Sequence, residues 1–371
     1  MRNNPNGMKA ARDLWNAVLR EITNRSPGFD VSNAWFLVVD KGLGDVVHVL
    51  SLLPTFRERH GGPIVIIAPE SKSGIVGLFR DHFDGSIFVP EEATRAFADL
   101  PKIGGFQRGL PYYTWWPAHG EAQLGKPFIE WEDGLTVKQL TAIMLRLPPN
   151  APSVAPLVSE ASRNEAHATF DRLGVRAGHT VVMFPWSNSA RNLPETWWEE
   201  FHQAVRARGL HAVVNATAAS SSHFGRLSRR DGNLELGIDG TANLTDLPID
   251  QVIPFVERAG YLATVASGIC DVLARSDARK LVLYSYERTP GGSLEDDLLR
   301  ANGGKVGGGS IVRSYDAQDC VEIDIALDEA FDASKIERWF LSRQERDRLA
   351  LWERLAELDR EREKLMLELN N

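Results

Sequence analysis

The most informative residues of this sequence lie in a glycine-bearing turn, Lys41-Gly-Leu-Gly-Asp45. The turn follows the apolar run 35–40 and precedes a predicted helix over 46–59. Gly42 and Gly44 allow the backbone to approach a ligand closely. A carboxylate at Asp45 can act as a general base that takes a proton from a bound hydroxyl. An aspartate here also suits the N-cap of the helix, so the spacing alone leaves both roles open.

The residues just after this turn limit the kinds of ligand that it can bind. The dinucleotide-binding pattern G-x-G-x-x-G needs a third glycine where Val47 stands, and the carboxylate of Asp45 would repel a pyrophosphate. We therefore expect no dinucleotide cofactor at this turn. His48 lies about one helical turn further on. It either orients a substrate or packs against the domain, and the sequence leaves both interpretations open.

Hydrogen-bond donors that could bind an anion follow two predicted strands in the second half of the chain. Ser187 and Asn188 offer hydroxyl and amide donors directly after the apolar run 180–184, and Arg191 can bind a phosphate with two parallel hydrogen bonds. Ser267-Gly268 opens a predicted helix after a later strand, and helix N-termini favour anions. The competing interpretation is an ordinary solvated loop that contains an arginine.

An irregular stretch rich in glycine, proline and aromatic residues is predicted over 101–134. Tyr113, Trp115 and Trp116 lie within it, and aromatic faces can pack against sugar rings. A loop this long is often functional, but it can also pack on its own domain. The nine histidines show no metal-ligand spacing, so we expect no metal site.

The elements that must position these residues fall into two similar halves. In each half, short apolar runs typical of buried parallel strands alternate with helical segments, which predicts an α/β fold. Prolines crowd the segment 148–156 and disfavour helix or central strand there, so it is the predicted linker. We expect one Rossmann-like domain over 34–147 and a second over 157–335. The predicted strands are 35–40, 63–68, 87–89, 180–184, 211–215, 261–265 and 280–284.

Both ends of the chain are predicted to be helical. The extension 1–33 carries an apolar face over 8–22, which favours docking on the first domain; peripheral contact with a membrane surface is the alternative. The segment 336–371 is a charged helix with a short heptad pattern that Arg362 interrupts. It either pairs two subunits into a homodimer or lies on its own chain.

The composition excludes several classes of protein. With 42 basic and 50 acidic residues, the 371-residue chain has a net charge of −8, which argues against binding nucleic acid through its whole surface. Cys270 and Cys320 are too few for a disulfide framework or a four-thiolate zinc site, and they fit a reducing compartment. The first residues lack the apolar stretch of a signal peptide, and we expect a cytoplasmic protein.

Three segments resemble the heptosyltransferase-like glycosyltransferases of family 9. Gly44-Asp-Val-Val-His-Val-Leu-Ser-Leu-Leu-Pro54 is similar to the family's N-terminal signature and is the most specific of the three. The segment 184–201 resembles the family's strand, loop, basic residue and helix. The segment 234–268 resembles a later stretch that leads to a strand and a turn. The similarity covers roughly residues 34–290.

This resemblance implies a GT-B fold, in which two Rossmann-like doubly wound domains face each other across a cleft. It also implies metal-independent, inverting transfer of a sugar from a nucleotide-sugar donor to an acceptor hydroxyl, without a cofactor. Asp45 matches the family's catalytic aspartate, and Arg191 aligns with its basic residue. Ala266 and Asp271 depart from the commoner pattern, so a heptose donor does not carry over by analogy.

The activity implied is that of a hexosyl- or heptosyltransferase acting on a glycan, glycolipid or other acceptor. A catalytically silent binding or scaffold protein and a GT-B nucleotide-sugar epimerase are the alternatives. The acceptor is expected on the first domain and the donor on the second. The residues expected at the acceptor are Gly42, Gly44, His48, Tyr113, Trp115 and Trp116. Those expected at the nucleotide sugar are Ser187, Asn188, Arg191, Ser267, Gly268 and Asp271.

Overall fold

Two parallel β-sheets with helices packed around them form the protein, as seen in a computed structural model. The structure describes residues 5–94, 106–114, 136–187, 192–215, 242–244, 247–288, 317, 319–341 and 343–369. Every strand pairing within these ranges is parallel, which confirms the predicted α/β class. The segment 148–156 contains neither helix nor strand. None of the helices in this part of the chain is long and apolar enough to cross a membrane.

The first half of the chain builds a four-stranded sheet. Its strands are β1 (Trp35–Val38), β2 (Ile64–Pro69), β3 (Gly85–Val89) and β4 (Pro111–Tyr113), in the order β3-β2-β1-β4. Its helices are α1 (Pro5–Arg25), α2 (Leu43–Ser51), α3 (Leu53–His60), α4 (Ser73–Gly77), α5 (Glu91–Thr94) and α6 (Val137–Met144). Trp15, Val18 and Ile22 of α1 pack against the sheet beside Phe36, as the apolar face of the N-terminal helix predicts.

The strand β4 lies inside the stretch 101–134 that the sequence predicts to be irregular. It pairs with β1, and this pairing buries both Tyr112 and Tyr113. Three residues are too few to show the alternation of a strand, and both Gly109 before β4 and Pro111 at its start are typical of a turn. The prediction of a loop is therefore wrong at this strand, and its aromatic content reflects core packing.

The single helix predicted over 46–59 is two helices. The first, α2, has Gly42 as its N-cap, and α3 begins after Leu52. Pro54 has no backbone N–H to donate to Leu50, so the ladder of α2 cannot continue through it. As a result α2 is short. Its N-terminus lies at the carboxyl end of β1.

The second half builds a six-stranded sheet in the order β10-β9-β8-β5-β6-β7. Its strands are β5 (Thr180–Phe184), β6 (His211–Asn215), β7 (Ala242–Leu244), β8 (Gly260–Val265), β9 (Arg279–Tyr286) and β10 (Cys320–Ala326). Its helices are α7 (Glu160–Arg172), α8 (Glu195–Ala207), α9 (Ile249–Ala259), α10 (Gly268–Leu273), α11 (Ala333–Phe340) and α12 (Arg343–Leu369). The helix predicted over 336–371 is two helices, because α11 ends at Phe340 and Leu341 has an extended backbone, while α12 continues without a break to Leu369.

Helices cover both faces of the second sheet. On one face, Trp198 of α8 and Trp339 of α11 are completely buried against the strands. On the other face, Phe255 of α9 and Val272 of α10 belong to a core that continues into the first half through α2, where it includes Leu50. The two halves therefore share part of one apolar core.

Candidate functional site

The residues of chemical interest lie where the strand order of each sheet reverses. In doubly wound sheets, ligands bind in the crevice outside the carboxyl ends of the strands at this point. In the first sheet the reversal lies between β1 and β4, beside the start of α2. In the second sheet it lies between β5 and β8, beside the start of α10. The predicted base and the predicted anion-binding turn each lie at such a point.

Asp45 lies partly exposed in the first turn of α2. Gly42 is the N-cap, so the N-cap interpretation of Asp45 is wrong. A Cβ built on Gly42 would lie 3.2 Å from Asp45 Oδ2, so the carboxylate lies over this glycine. The dipole of a helix stabilises a negative charge in the first turn by about 0.3–1 kcal/mol. The position therefore suits an ionised carboxylate.

Two glycines let α2 and α10 meet at backbone distance. A Cβ on Gly268 would lie 2.5 Å from the backbone nitrogen of Gly44 and 2.8 Å from Leu43 Cβ. A Cβ on Gly44 would overlap the carboxylate of Asp271. A side chain at Gly268 would force the helices apart, whereas one at Gly44 would displace the flexible side chain of Asp271. Contact between the two halves is therefore a role for these glycines that the sequence analysis did not include.

Asp271 reaches from α10 to the first half of the chain. Its Oδ1 lies 3.4 Å from Nε2 of His48, and the contact is an ion pair when the imidazole is protonated. The other carboxylate oxygen lies against Gly44. His48 is buried, which favours packing over direct substrate contact. In this arrangement Asp271 is directed at α2, which differs from its predicted place at the nucleotide sugar.

Ser187 connects the two strand ends at the reversal point of the second sheet. Its hydroxyl donates to the carbonyl oxygen of Ala266 over 2.8 Å, and its backbone N–H donates to Asn192 Oδ1 over 2.8 Å. The residue is 5% exposed, so its hydroxyl holds the end of β5 beside that of β8. Ser267 is the N-cap of α10, and its side chain makes no capping hydrogen bond.

Charged side chains surround Asp45 at the carboxyl edge of the first sheet. Burial lowers the pKa of Lys72, and the carboxylates of Glu91, Asp40 and Asp45 act in the opposite direction. Burial and the charge of Asp40 raise the pKa of Tyr113 above its usual range. Neither Asp40 nor Lys72 is among the residues predicted from the sequence. The sequence could have indicated both residues, because each lies within a few residues of the end of a predicted strand.

Tyr113 does not present its ring to a ligand. The ring is 1% exposed and belongs to the core beneath α1. Nζ of Lys41 lies 5.6 Å from the ring centroid. A ring in the core cannot stack on a sugar, so the predicted acceptor contact is wrong at this residue. The other predicted site residues Trp115, Trp116, Asn188 and Arg191 lie outside the described residues.

The described part of the chain contains no group of three His, Cys, Asp or Glu side chains arranged to hold a metal ion. Both cysteines are free thiols. Burial raises the pKa of Cys270 to about 12, and it has the same effect on Cys320, with a pKa of about 12. Both side chains therefore remain protonated and unreactive near neutral pH.

Solved structures of two bacterial glycosyltransferases are similar to this chain. ADP-heptose LPS heptosyltransferase II of E. coli matches with a TM-score of 0.52 and 15% identity, over 82% of this chain and 94% of that one. A family 9 glycosyl transferase of Veillonella parvula matches with a TM-score of 0.53 and 12% identity, over 82% and 90%. No family model and no curated protein sequence matches. At this identity the likeness concerns the fold, and it confirms the heptosyltransferase-like GT-B fold that the sequence resemblance implies.

Gly268→Ala should force α2 away from α10. The new Cβ would meet the backbone nitrogen of Gly44 at 2.5 Å, and backbone cannot move aside as a flexible side chain can. We expect the free energy of unfolding to fall by about 1–3 kcal/mol in denaturant titrations. Gly77→Ala is the control, because nothing lies within 4 Å of a Cβ there. Equal stability of Gly268→Ala and the wild type would contradict the backbone contact.

Proposed function

We propose that this protein is an inverting, metal-independent glycosyltransferase that moves a sugar from a nucleotide-sugar donor to an acceptor hydroxyl. The observation that carries the proposal is the place of Asp45, partly exposed in the first turn of α2 where the carboxyl edges of the two sheets meet. Ligands bound at the two edges would have their reacting atoms near this carboxylate. The likeness of the fold to two glycosyltransferases supports the same reaction class.

In the proposed reaction, Asp45 accepts the proton of the acceptor hydroxyl. The hydroxyl oxygen attacks the anomeric carbon of the donor from the face opposite the diphosphate. The bond between this carbon and the phosphate oxygen breaks, and its electron pair leaves with the nucleoside diphosphate. A single displacement inverts the anomeric configuration. General-base assistance of this kind is worth about 10²–10⁴-fold in rate.

We place the donor at the carboxyl edge of the second sheet. Ser187, Asn188 and Arg191 follow β5, and Ser267-Gly268 begins α10. The leaving diphosphate gains negative charge, and a guanidinium that binds two phosphate oxygens would stabilise it. Because α2 and α10 touch, we propose that the halves move apart at this contact when the donor binds. Separation would release Asp271 from α2 and allow it to contact a donor hydroxyl.

We place the acceptor at the carboxyl edge of the first sheet, beside Lys41, Gly42 and Lys72. The mixture of charges there suits the hydroxyl-rich surface of a glycan or of a glycolipid head group. Trp115 and Trp116 remain candidates for stacking on a sugar ring. We also propose a cytoplasmic location, because free thiols at both cysteines fit a reducing compartment.

A nucleotide sugar that is the donor should raise the unfolding temperature of the protein. A ligand that binds only the folded chain stabilises it by mass action. A thermal-shift screen of ADP-, UDP-, GDP-, dTDP- and CMP-sugars measures this, and ADP-heptose is the first to test because the E. coli structure carries that name. If no nucleotide sugar stabilises the protein, the donor site is absent and the scaffold alternative is favoured.

Arg191→Ala should weaken binding of the donor by about 1.5–3 kcal/mol, because a charge-assisted hydrogen bond to phosphate is lost. Titration calorimetry with the donor found in the screen measures the effect. Arg206→Ala removes an exposed arginine from α8 and should bind like the wild type. Unchanged affinity in Arg191→Ala would remove this arginine from the proposed site.

Asp45→Asn tests the proposed base. The amide keeps the size of the side chain and removes its ability to accept a proton. We expect turnover, measured as release of nucleoside diphosphate, to fall about 10²–10⁴-fold. Donor affinity should stay the same, because the donor lies mainly on the other half. Asp13→Asn on the exposed face of α1 is the control. Wild-type turnover in Asp45→Asn would end the assignment of the base and leave the fold unaffected.

A further inference from the structure

The tail helix α12 carries an apolar stripe that the rest of the described chain leaves exposed. Leu351, Leu355 and Leu358 are 61%, 43% and 44% exposed, and Trp352 beside them is 69% exposed. Every side chain over 351–362 is exposed. Helices in proteins are stabilised mainly by packing an apolar face, and the described residues do not give this part of α12 that support. We infer that α12 pairs with α12 of a second copy of this chain as an antiparallel coiled coil.

Contacts at the start of α12 fix it to the second half of the chain. Arg346 forms an ion pair with Asp319 and donates to the carbonyl oxygen of Leu341 over 2.7 Å. Arg338 of α11 forms an ion pair with Glu353. The helix continues to Leu369, roughly 24 Å beyond the last of these contacts at 1.5 Å per residue. The stripe is therefore held in a defined direction, which lowers the entropic cost of pairing.

The spacing of the stripe is that of a two-stranded coiled coil. The spacing from Leu351 to Leu355 is four positions and from Leu355 to Leu358 three positions, which is the alternation of heptad core positions. Arg348 and Arg362 occupy core positions in the same register, and both are exposed. In a parallel, in-register pair each arginine would face its own copy at the seam. Repulsion between these like charges disfavours the parallel arrangement.

The antiparallel arrangement resolves this conflict. With Leu355 opposite Leu358 of the partner subunit, Arg362 lies opposite Leu351 of the partner subunit. The aliphatic stem of the arginine can then cover the leucine while its guanidinium reaches solvent. The same register puts Arg354 beside Glu361 of the partner subunit, and twofold symmetry repeats the pair. The separation of the core arginines from one another therefore favours a closed antiparallel dimer. This inference is independent of the proposed function.

Sedimentation equilibrium of the full chain tests the dimer. The wild type should sediment as a dimer, and Leu358→Glu should raise its dissociation constant on the order of 100-fold, because a core leucine is lost from both helices. Ala356→Glu makes the same kind of change away from the stripe and should leave the dimer intact. Near-ultraviolet circular dichroism checks that each variant is folded. A monomeric wild type at all concentrations, or a Leu358→Glu variant that dimerises normally, would overturn the inference.

Charge exchange tests the orientation of the two helices. Arg354→Glu should weaken the dimer about 3–10-fold, because it replaces both symmetry-related attractions by repulsions. Adding Glu361→Arg should restore the affinity. Arg354→Glu with Asp359→Arg is the matched control, since Asp359 would flank Arg354 only in a parallel pair. Both double variants lose the same ion pair between Arg354 and Glu357 within the helix. Restoration by the Asp359 variant alone would overturn the antiparallel arrangement.

Discussion

The approach of Gly44 to Gly268 is the constraint on which the relation between the two halves depends. One glycine lies in the first turn of α2 and the other starts α10, so their contact joins the carboxyl edge of β1 to that of β8. A Cβ on Gly268 would push the helices apart and expose part of the apolar core that continues from α2 into the second half. The requirement for glycine at 268 therefore has a cause in packing between the halves, and Gly44 leaves room for the carboxylate of Asp271.

This contact also brings two carboxylates to the same helix end. Asp45 lies in the first turn of α2, and Asp271 reaches this turn from α10. The positive end of a helix dipole stabilises ionised carboxylates, and a base must be ionised to accept a proton. Stability and the proposed chemistry therefore favour the same residue type at Asp45. For this reason the spacing in the sequence could not separate a structural from a catalytic aspartate.

The sequence predicts the elements that local patterns specify. β5 and β6 have the predicted bounds because each is a short, largely apolar run. β4 and β7 have three residues each, and β10 alternates polar with apolar residues, so a search for continuous apolar runs passes over them. The contact between His48 and Asp271 joins residues far apart in the chain, and no local pattern encodes it. Local patterns could therefore select candidate residues at the strand ends, whereas their partners across the two halves were not predictable.

The burial of Tyr113 changes how an acceptor would be recognised. With this ring in the core, its hydroxyl and the carboxylate of Asp40 lie beneath the edge of the first sheet, and Lys72 lies among three carboxylates. A ligand at this edge meets fixed charges and hydrogen-bonding groups rather than the face of this tyrosine. Such a surface would distinguish ligands by the positions of their hydroxyl groups, because a misplaced polar group would lose its partner on leaving water. On the described part of the first half, ligands would thus be selected by the positions of charged and hydrogen-bonding groups. The proposed acceptor, which presents several hydroxyls around the one that reacts, suits such a surface.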